Sequence, residues 1–353
     1  MFVLSDRTIS LCLFAGHKAN GLHSADTVVQ SVEAAVNKDK QMMKIAIIGS
    51  GLIGRAWAVV FAHAGHQVVM QDTDEACLDK LSDTVMQEAA ILHRHGLLAD
   101  PQSVREKLTI TGDLVAALTG ADFIQENGPE RIEIKRSLFE ALDQLAPSNI
   151  PIASSTSAII ASQFTEELSG RHRCFVGHPV NPPHLVPLVE LCGSPWTSSA
   201  ILDKAHQIYA ECGMVPVRIK SEKQGFVLNR LQGAVLAEAL RLLHEDVISV
   251  EDLDKTMKDG LGMRWAFMGP FETIELNAPE GAEDYFQRYC GLFRDMAAEP
   301  PGQTVFDPSV TKSIVQNWQT RLGKDDILRR TAWRNERLAS LSAWKKQRNQ
   351  EEV

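Results

Sequence analysis

The chain has 353 residues, 44% hydrophobic and 23% charged, enough for two domains with cores of their own and outside the composition of a disordered chain. Its 36 basic and 45 acidic side chains leave a formal net charge of −9, which argues against neutralising a nucleic-acid backbone or an anionic membrane as its main work. The six cysteines form no CxxC pair, as in a reducing, cytoplasmic compartment, and no apolar run approaches the roughly 18 residues that would cross a bilayer.

Residues 1–42 stand apart from the rest. Thr8 to Ala15 is apolar but short, Asp6 and Arg7 cancel ahead of it, and no clear small-residue cleavage site follows. The segment is expected to be a flexible extension or an over-called translation start. From Met43 onward, short β-branched runs alternate with longer periodic stretches, the pattern of a parallel sheet with crossover helices. Strands are expected at Lys44 to Ile48, Gln67 to Gln71, Phe123 to Glu126, Ile150 to Ser154, Cys174 to Gly177, Leu188 to Leu191 and Val215 to Ile219.

The first of these strands runs into Gly49-Ser50-Gly51-Leu52-Ile53-Gly54, and a helical stretch from Arg55 to His63 follows. In that setting GxGxxG has a mechanical meaning: Gly49 allows the tight turn, Gly51 lets the backbone approach a pyrophosphate, and Gly54 packs helix on strand. The helix start then offers its unpaired N–H groups to the phosphates. Asp72 closes the next strand, about 20 residues on, where a carboxylate accepts from both adenosine ribose hydroxyls and repels a 2′-phosphate. NAD is therefore expected rather than NADP, and the alternative for Asp72 is a strand-end turn carboxylate. The fold class expected over 43–221 is α/β, a Rossmann-type doubly wound, mostly parallel sheet.

Ser154-Ser155-Thr156-Ser157 follows a strand, where a hydroxyl can reach substrate or nicotinamide, or can cap the helix that comes next. Gly177-His178-Pro179-Val180-Asn181-Pro182-Pro183 follows another, and Glu190 lies in the next apolar run. A loop turning back there brings the carboxylate against the imidazole, and such a pair is a general base for a hydroxyl proton. His178 could also be an ordinary satisfied loop histidine. His172, Cys174 and His178 make no recognisable ligand set, so no metal is expected.

After about Ser221 the alternation stops, and Phe226 to His244 and Val250 to Asp259 carry helical periodicity. A helical domain is expected over 222–325. Gly225-Phe226-Val227-Leu228-Asn229-Arg230-Leu231 opens it with one amide on an apolar face, either structural or placed to meet a substrate oxygen. Over 326–353 a basic helix is expected, with Leu338, Leu341 and Trp344 at three-residue steps among Arg330, Arg334, Arg337, Lys345, Lys346 and Arg348. It reads as a solvated helix docking one apolar edge, in preference to a nucleic-acid or membrane contact.

Taken together, the stretches Gly49 to Trp57, Ser154 to Ala158, Gly177 to Glu190, Gly225 to Gln232 and Gly260 to Asn277 resemble the 3-hydroxyacyl-CoA dehydrogenase superfamily from about Met43 to the C-terminal helix. The resemblance implies Ser157, His178 and Asn229 as catalytic residues, with Glu190 as partner of His178. It also implies cofactor contacts at Leu52, Ile53, Asp72, Glu130 and Lys135, and a homodimer formed through the helical domain. Read from residues alone, Gly128 to Lys135 is a solvated helix start. This chain departs from the acyl-CoA enzymes at Gly262-Met263-Arg264-Trp265-Ala266-Phe267-Met268-Gly269-Pro270. There Arg264 could grip a free carboxylate or pair with Glu272, and Asn181 is a further substrate-side candidate. The activity that the resemblance implies is NAD-dependent oxidation of the 3-hydroxyl of a small anionic hydroxy acid, L-gulonate. The alternatives are a 3-hydroxyacyl-CoA, 3-hydroxypropionate, 3-hydroxybutyrate or carnitine, or a non-enzymatic, crystallin-like dinucleotide-binding protein.

Overall fold

β1 (Lys44–Ile48) is buried at four of its five positions, because neighbouring strands flank it and helices cover both faces. It lies inside an eight-stranded sheet with β2 (Gln67–Gln71), β3 (Leu108–Thr111), β4 (Phe123–Glu126), β5 (Ile152–Ser154), β6 (Cys174–Pro179), β7 (Leu188–Gly193) and β8 (Val215–Ile219). The order is β3-β2-β1-β4-β5-β6-β7-β8; the first six run parallel, β7 is antiparallel to β6, and β8 is parallel to β7. The computed structural model describes residues 41–351, and their side chains to residue 348. Thr8 to Ala15, and all but the last two residues of the expected extension, lie outside the described residues.

The α/β class is the one expected, and the strand ends differ for local reasons. β3 was not among the expected strands: Leu-Thr-Ile-Thr is a half-exposed edge with no continuous apolar run. β5 starts at Ile152 because Pro151 ahead of it has no N–H to donate. β6 and β7 each run two residues longer than expected, since they pair with one another as far as Pro179 and Gly193.

Two cores flank the sheet. On one side α1 (Leu52–His63) is buried from Ala56 to Ala62 and stacks Trp57 and Phe61 at 5.4 Å. α2 (Glu75–Arg94) joins that side, its first turn capped by Asp74, which accepts from the N–H of Ala76. α4 (Ser199–Glu211) sends Tyr209 into the same cluster, 5.3 Å from Trp57. On the other side α3 (Ile132–Leu145) contributes Phe139 and Leu142.

From α5 (Leu228–His244) onward the chain is helical. The stretch expected as one helix from Val250 divides into Val250–Lys255 and a π turn over Thr256–Leu261. Short helices at Gly262–Trp265 and Pro270–Glu275 lead to α6 (Gly281–Ala298), and α7 (Lys324–Glu351) ends the described chain. α5 and α6 bury none of their residues, and Leu231, Phe271 and Leu276 are 62%, 75% and 68% exposed.

α7 returns to α2, where Glu336 meets Arg94 and His95 and the Ser342 hydroxyl donates to the Leu185 carbonyl at 2.6 Å. Its docked stripe is Asn335, Leu338, Ala339 and Ser342, one helical face at steps of three and four. Leu341 and Trp344, expected on that edge, point away and stay exposed. No helix among the described residues is long and apolar enough to cross a membrane.

Candidate active site

The dinucleotide loop is built by close backbone approach. Gly49 has φ +95°, and a Cβ on it would meet the Asn127 carbonyl oxygen at 2.8 Å. A Cβ on Gly54 would fall 2.0 Å from the Gly49 oxygen, so helix and loop touch here only because residue 54 is glycine. Gly51 is the N-cap of α1 with no side-chain cap, and nothing stands within 4 Å of where its Cβ would be. The free N–H groups of Leu52, Ile53 and their neighbours thus face open space, an arrangement that receives an anion.

Asp72, at the end of β2, borders the same cavity of about 870 Å³, with Asn127, Gly128 and Pro129 on its opposite wall. Its Oδ2 accepts from the Ser50 N–H and hydroxyl at 2.7 and 2.6 Å, and its Oδ1 accepts from the Asp74 N–H at 3.1 Å. Partial burial would raise the carboxyl pKa, but the hydrogen bonds from Ser50, Asp74 and Thr73 together outweigh it and hold Asp72 below the ordinary range. The ionised group can exchange the neutral Ser50 hydroxyl for a ribose hydroxyl. Open space at a helix start beside such a carboxylate fits a dinucleotide without a 2′-phosphate.

Glu130 and Lys135 take different places. Glu130 Oε1 accepts from the Thr156 hydroxyl and from the N–H groups of Ser157 and Ala158, both at 3.2 Å. It caps this turn together with Thr156, whose hydroxyl accepts from the Ile159 N–H at 3.0 Å. Lys135 is 1% exposed, with its Nζ 3.0 and 2.9 Å from the oxygens of the fully buried Glu126. Glu126 also accepts from the Gly128 N–H at 2.6 Å and the Ser154 hydroxyl at 2.5 Å. Lys135 is therefore in the wall behind the crevice, not on a solvated helix start. Its partner carried one readable signal, an acid in a strand buried at every position.

Ser155 and Ser157 differ in what they have left to offer. The Ser155 hydroxyl accepts from Trp57 Nε1 and Gln125 Nε2 at 3.1 and 2.8 Å and donates to Asn127 at 2.7 Å, which uses its one donor and both lone pairs. The Ser157 hydroxyl has no hydrogen bond among the described residues and is exposed.

His178 and Glu190 face each other across β6 and β7, with Nδ1 and Oε2 2.8 Å apart and both side chains buried. A carboxylate on Nδ1 makes that nitrogen the N–H and leaves the lone pair on Nε2. The other carboxylate oxygen of Glu190 accepts the N–H groups of Val227 and Leu228, where α5 begins, at 3.0 and 2.9 Å. Burial would raise the Glu190 pKa, but the bonds from His178 and the two amides outweigh it and lower it. Phe226, wholly buried, lies 5.3 Å from the imidazole with its backbone at φ +50°. That is a strained conformation for a bulky residue. It was missed in the sequence, although it stands inside the segment that carries Asn229.

Asn229 Nδ2 donates to the Ser157 carbonyl at 2.8 Å and joins the helical part to the turn after β5. Ser157, His178, Asn181 and Asn229 border one cavity of about 290 Å³, and Ile53 of the dinucleotide helix forms its wall. Arg264 is not brought there: it is exposed and makes no ion pair among the described residues, with Glu272 or any other acid. No group of three acidic, cysteine or histidine side chains able to hold a metal occurs among the described residues. Burial pushes the Cys174 thiol up to about 12, which keeps it protonated and makes it a poor metal ligand.

Residues 44–222 match the NAD binding domain of 3-hydroxyacyl-CoA dehydrogenase, and residues 225–317 match its C-terminal domain. The chain belongs to the 3-hydroxyacyl-CoA dehydrogenase family. Its cofactor is NAD, and members of the family are NAD-dependent dehydrogenases acting on a hydroxyl-bearing carbon. A lambda-crystallin homolog of Mus musculus is 37% identical over 308 residues, 86% of this chain and 96% of its own. L-carnitine dehydrogenase of Streptomyces griseus subsp. griseus is 36% identical over 258 residues, 73% of this chain and 76% of its own. Among solved structures, an NAD+ dependent dismutase, 5-formyl-3-hydroxy-2-methylpyridine 4-carboxylic acid 5-dehydrogenase, superposes with a TM-score of 0.75. It is 26% identical, over 87% of this chain and 98% of that one.

Proposed function

We propose that the protein oxidises the 3-hydroxyl of a small hydroxy acid with NAD, with L-gulonate as substrate and 3-dehydro-L-gulonate as product. The observation that carries this reading is the buried His178–Glu190 pair bordering a small cavity beside the dinucleotide helix. His178 Nε2 takes the hydroxyl proton, while Glu190 fixes the ring and offsets the charge of the imidazolium. The Ser157 hydroxyl and the second N–H of Asn229 donate to the substrate oxygen. Bound NAD supplies the acceptor for the hydride that the carbinol carbon gives up. Glu130 acts by holding the Ser157 turn, and Leu52 and Ile53 by presenting the helix start to the cofactor phosphates.

The lining of this cavity holds no lysine or arginine, so a substrate carboxylate needs a guanidinium from outside it. Arg264 is exposed and unpaired within the helical part, whose uncovered apolar faces suit a second copy of the chain. A homodimer that seats Arg264 on the carboxylate completes the reading. A quaternary ammonium such as carnitine would want an aromatic cage, and no phenylalanine, tyrosine or tryptophan lines the cavity. Acyl-CoA would want a basic rim for its phosphates. A purely structural, crystallin-like role leaves the buried acid–base pair without a use.

The test is NADH formation with L-gulonate, 3-hydroxybutyrate and carnitine, and NADH consumption with acetoacetyl-CoA, side by side. Turnover of gulonate well above the others is expected, with the Michaelis constant for gulonate raised in Arg264→Lys. Preference for carnitine or the CoA ester overturns the substrate, and an unchanged Michaelis constant overturns the anchor.

A further inference from the structure

The loop that joins β6 to β7 has two sides. Val180 and Asn181 border the catalytic cavity, whereas Pro183, His184, Leu185 and Pro187 border a separate cavity of about 550 Å³ under α7. The walls of this second cavity are mostly aliphatic: Val60, Leu92, Leu97, Leu185, Met214 and Val215. Its polar side chains are His63, His184 and Glu211, with Ser342, Lys345 and Lys346 of α7. Lys345 and Lys346 are exposed on its rim, and neither forms an ion pair among the described residues. Glu211, an acid on the same lining, is held by Gln207 at 2.7 Å.

His184 is the second observation. Its side chain is 1% exposed, and neither ring nitrogen has a hydrogen-bond partner among the described residues. Nε2 lies 3.2 Å from Glu88 Oε2, within ion-pair range but off the hydrogen-bonding line, and that oxygen is likewise unsatisfied. Nδ1 is a buried polar atom with no hydrogen-bond partner among the described residues, which costs free energy until one arrives.

We propose that this cavity is a second ligand site for a medium-chain aliphatic carboxylate. The chain lies along the aliphatic walls, the carboxylate accepts from His184, and Lys345 and Lys346 offset its charge. Because the loop it touches joins His178 to Glu190, a bound carboxylate acts on turnover without entering the catalytic cavity. This last step rests on the dehydrogenase reading; the binding does not.

Titration calorimetry of the full chain with decanoate, at saturating NADH, tests the site. One saturable event per chain is expected, weakened at least tenfold in Lys345→Ala/Lys346→Ala, which lies on an exposed helix face, and in His184→Gln. Kinetics on the wild type should show a change in turnover that added substrate does not relieve. No saturable binding, binding unmoved by either variant, binding displaced by NADH or substrate, or binding to an active enzyme without effect on turnover overturns the proposal. A chain that binds decanoate but oxidises no hydroxy acid overturns the dehydrogenase reading instead.

Discussion

Glu190 holds His178 with one carboxylate oxygen, 2.8 Å from Nδ1, and with the other holds the start of α5 through the N–H groups of Val227 and Leu228. One buried acid thus orients the proposed base and fastens the helix that carries Asn229. Its pKa is lowered below the ordinary 4.5, so its stabilising effect is complete above about that pH and is lost as pH falls through the lowered value. Glu190→Gln should therefore melt below the wild type at neutral pH. The gap should narrow on acidification below about pH 4.5. Thermal melts of both proteins across that window check this, and a gap independent of pH would contradict it.

His178→Ala removes the proton acceptor but leaves the dinucleotide loop intact, because no hydrogen bond links the imidazole to Gly49, Gly51 or Asp72. Removing a general base costs about 10² to 10⁴ in rate, so kcat should fall by that factor. NADH affinity, read by fluorescence titration, should stay within about twofold. Full turnover in this variant would falsify the proton-transfer role.

The parts legible in the sequence are those whose pattern is local. GxGxxG between a strand and a helix carries its own geometry, and β1, β2, β4 and β8 stand at the expected residues because each is a short apolar or β-branched run. The parts that escaped depend on partners far along the chain. β3 is recognised by pairing with β2, not by its own half-exposed residues. The docked face of α7 is chosen by α2 and Leu185, so three-residue spacing pointed to Leu341 and Trp344 instead of Asn335 and Ala339. Glu130 reaches 26 to 28 residues forward to cap the Thr156 turn, a contact that no local signal announces.

On the proposed reading, Asp72 is the specificity element of the cofactor crevice. Asp72→Asn keeps the size of the side chain but removes the charge that attracts ribose hydroxyls and repels a 2′-phosphate. Hydrogen bonds to charged groups contribute about 1.5–3 kcal/mol, so NADH affinity should fall about tenfold to a hundredfold. NADPH should lose much less, narrowing the preference between the two. Parallel titrations with both nucleotides measure the ratio, and an unchanged ratio would remove Asp72 from the ribose site.

Lys135 separates a structural from a cofactor role by the way its loss is felt. Its ammonium is the counter-charge of Glu126, and both groups are sealed from solvent. Lys135→Met leaves a carboxylate buried without a cation, at a cost of about 3–5 kcal/mol in urea unfolding. Glu126→Gln/Lys135→Met carries no such charge and should regain most of the stability. A direct contact with NAD would give the opposite pattern: Lys135→Met near wild-type stability, with NADH affinity reduced.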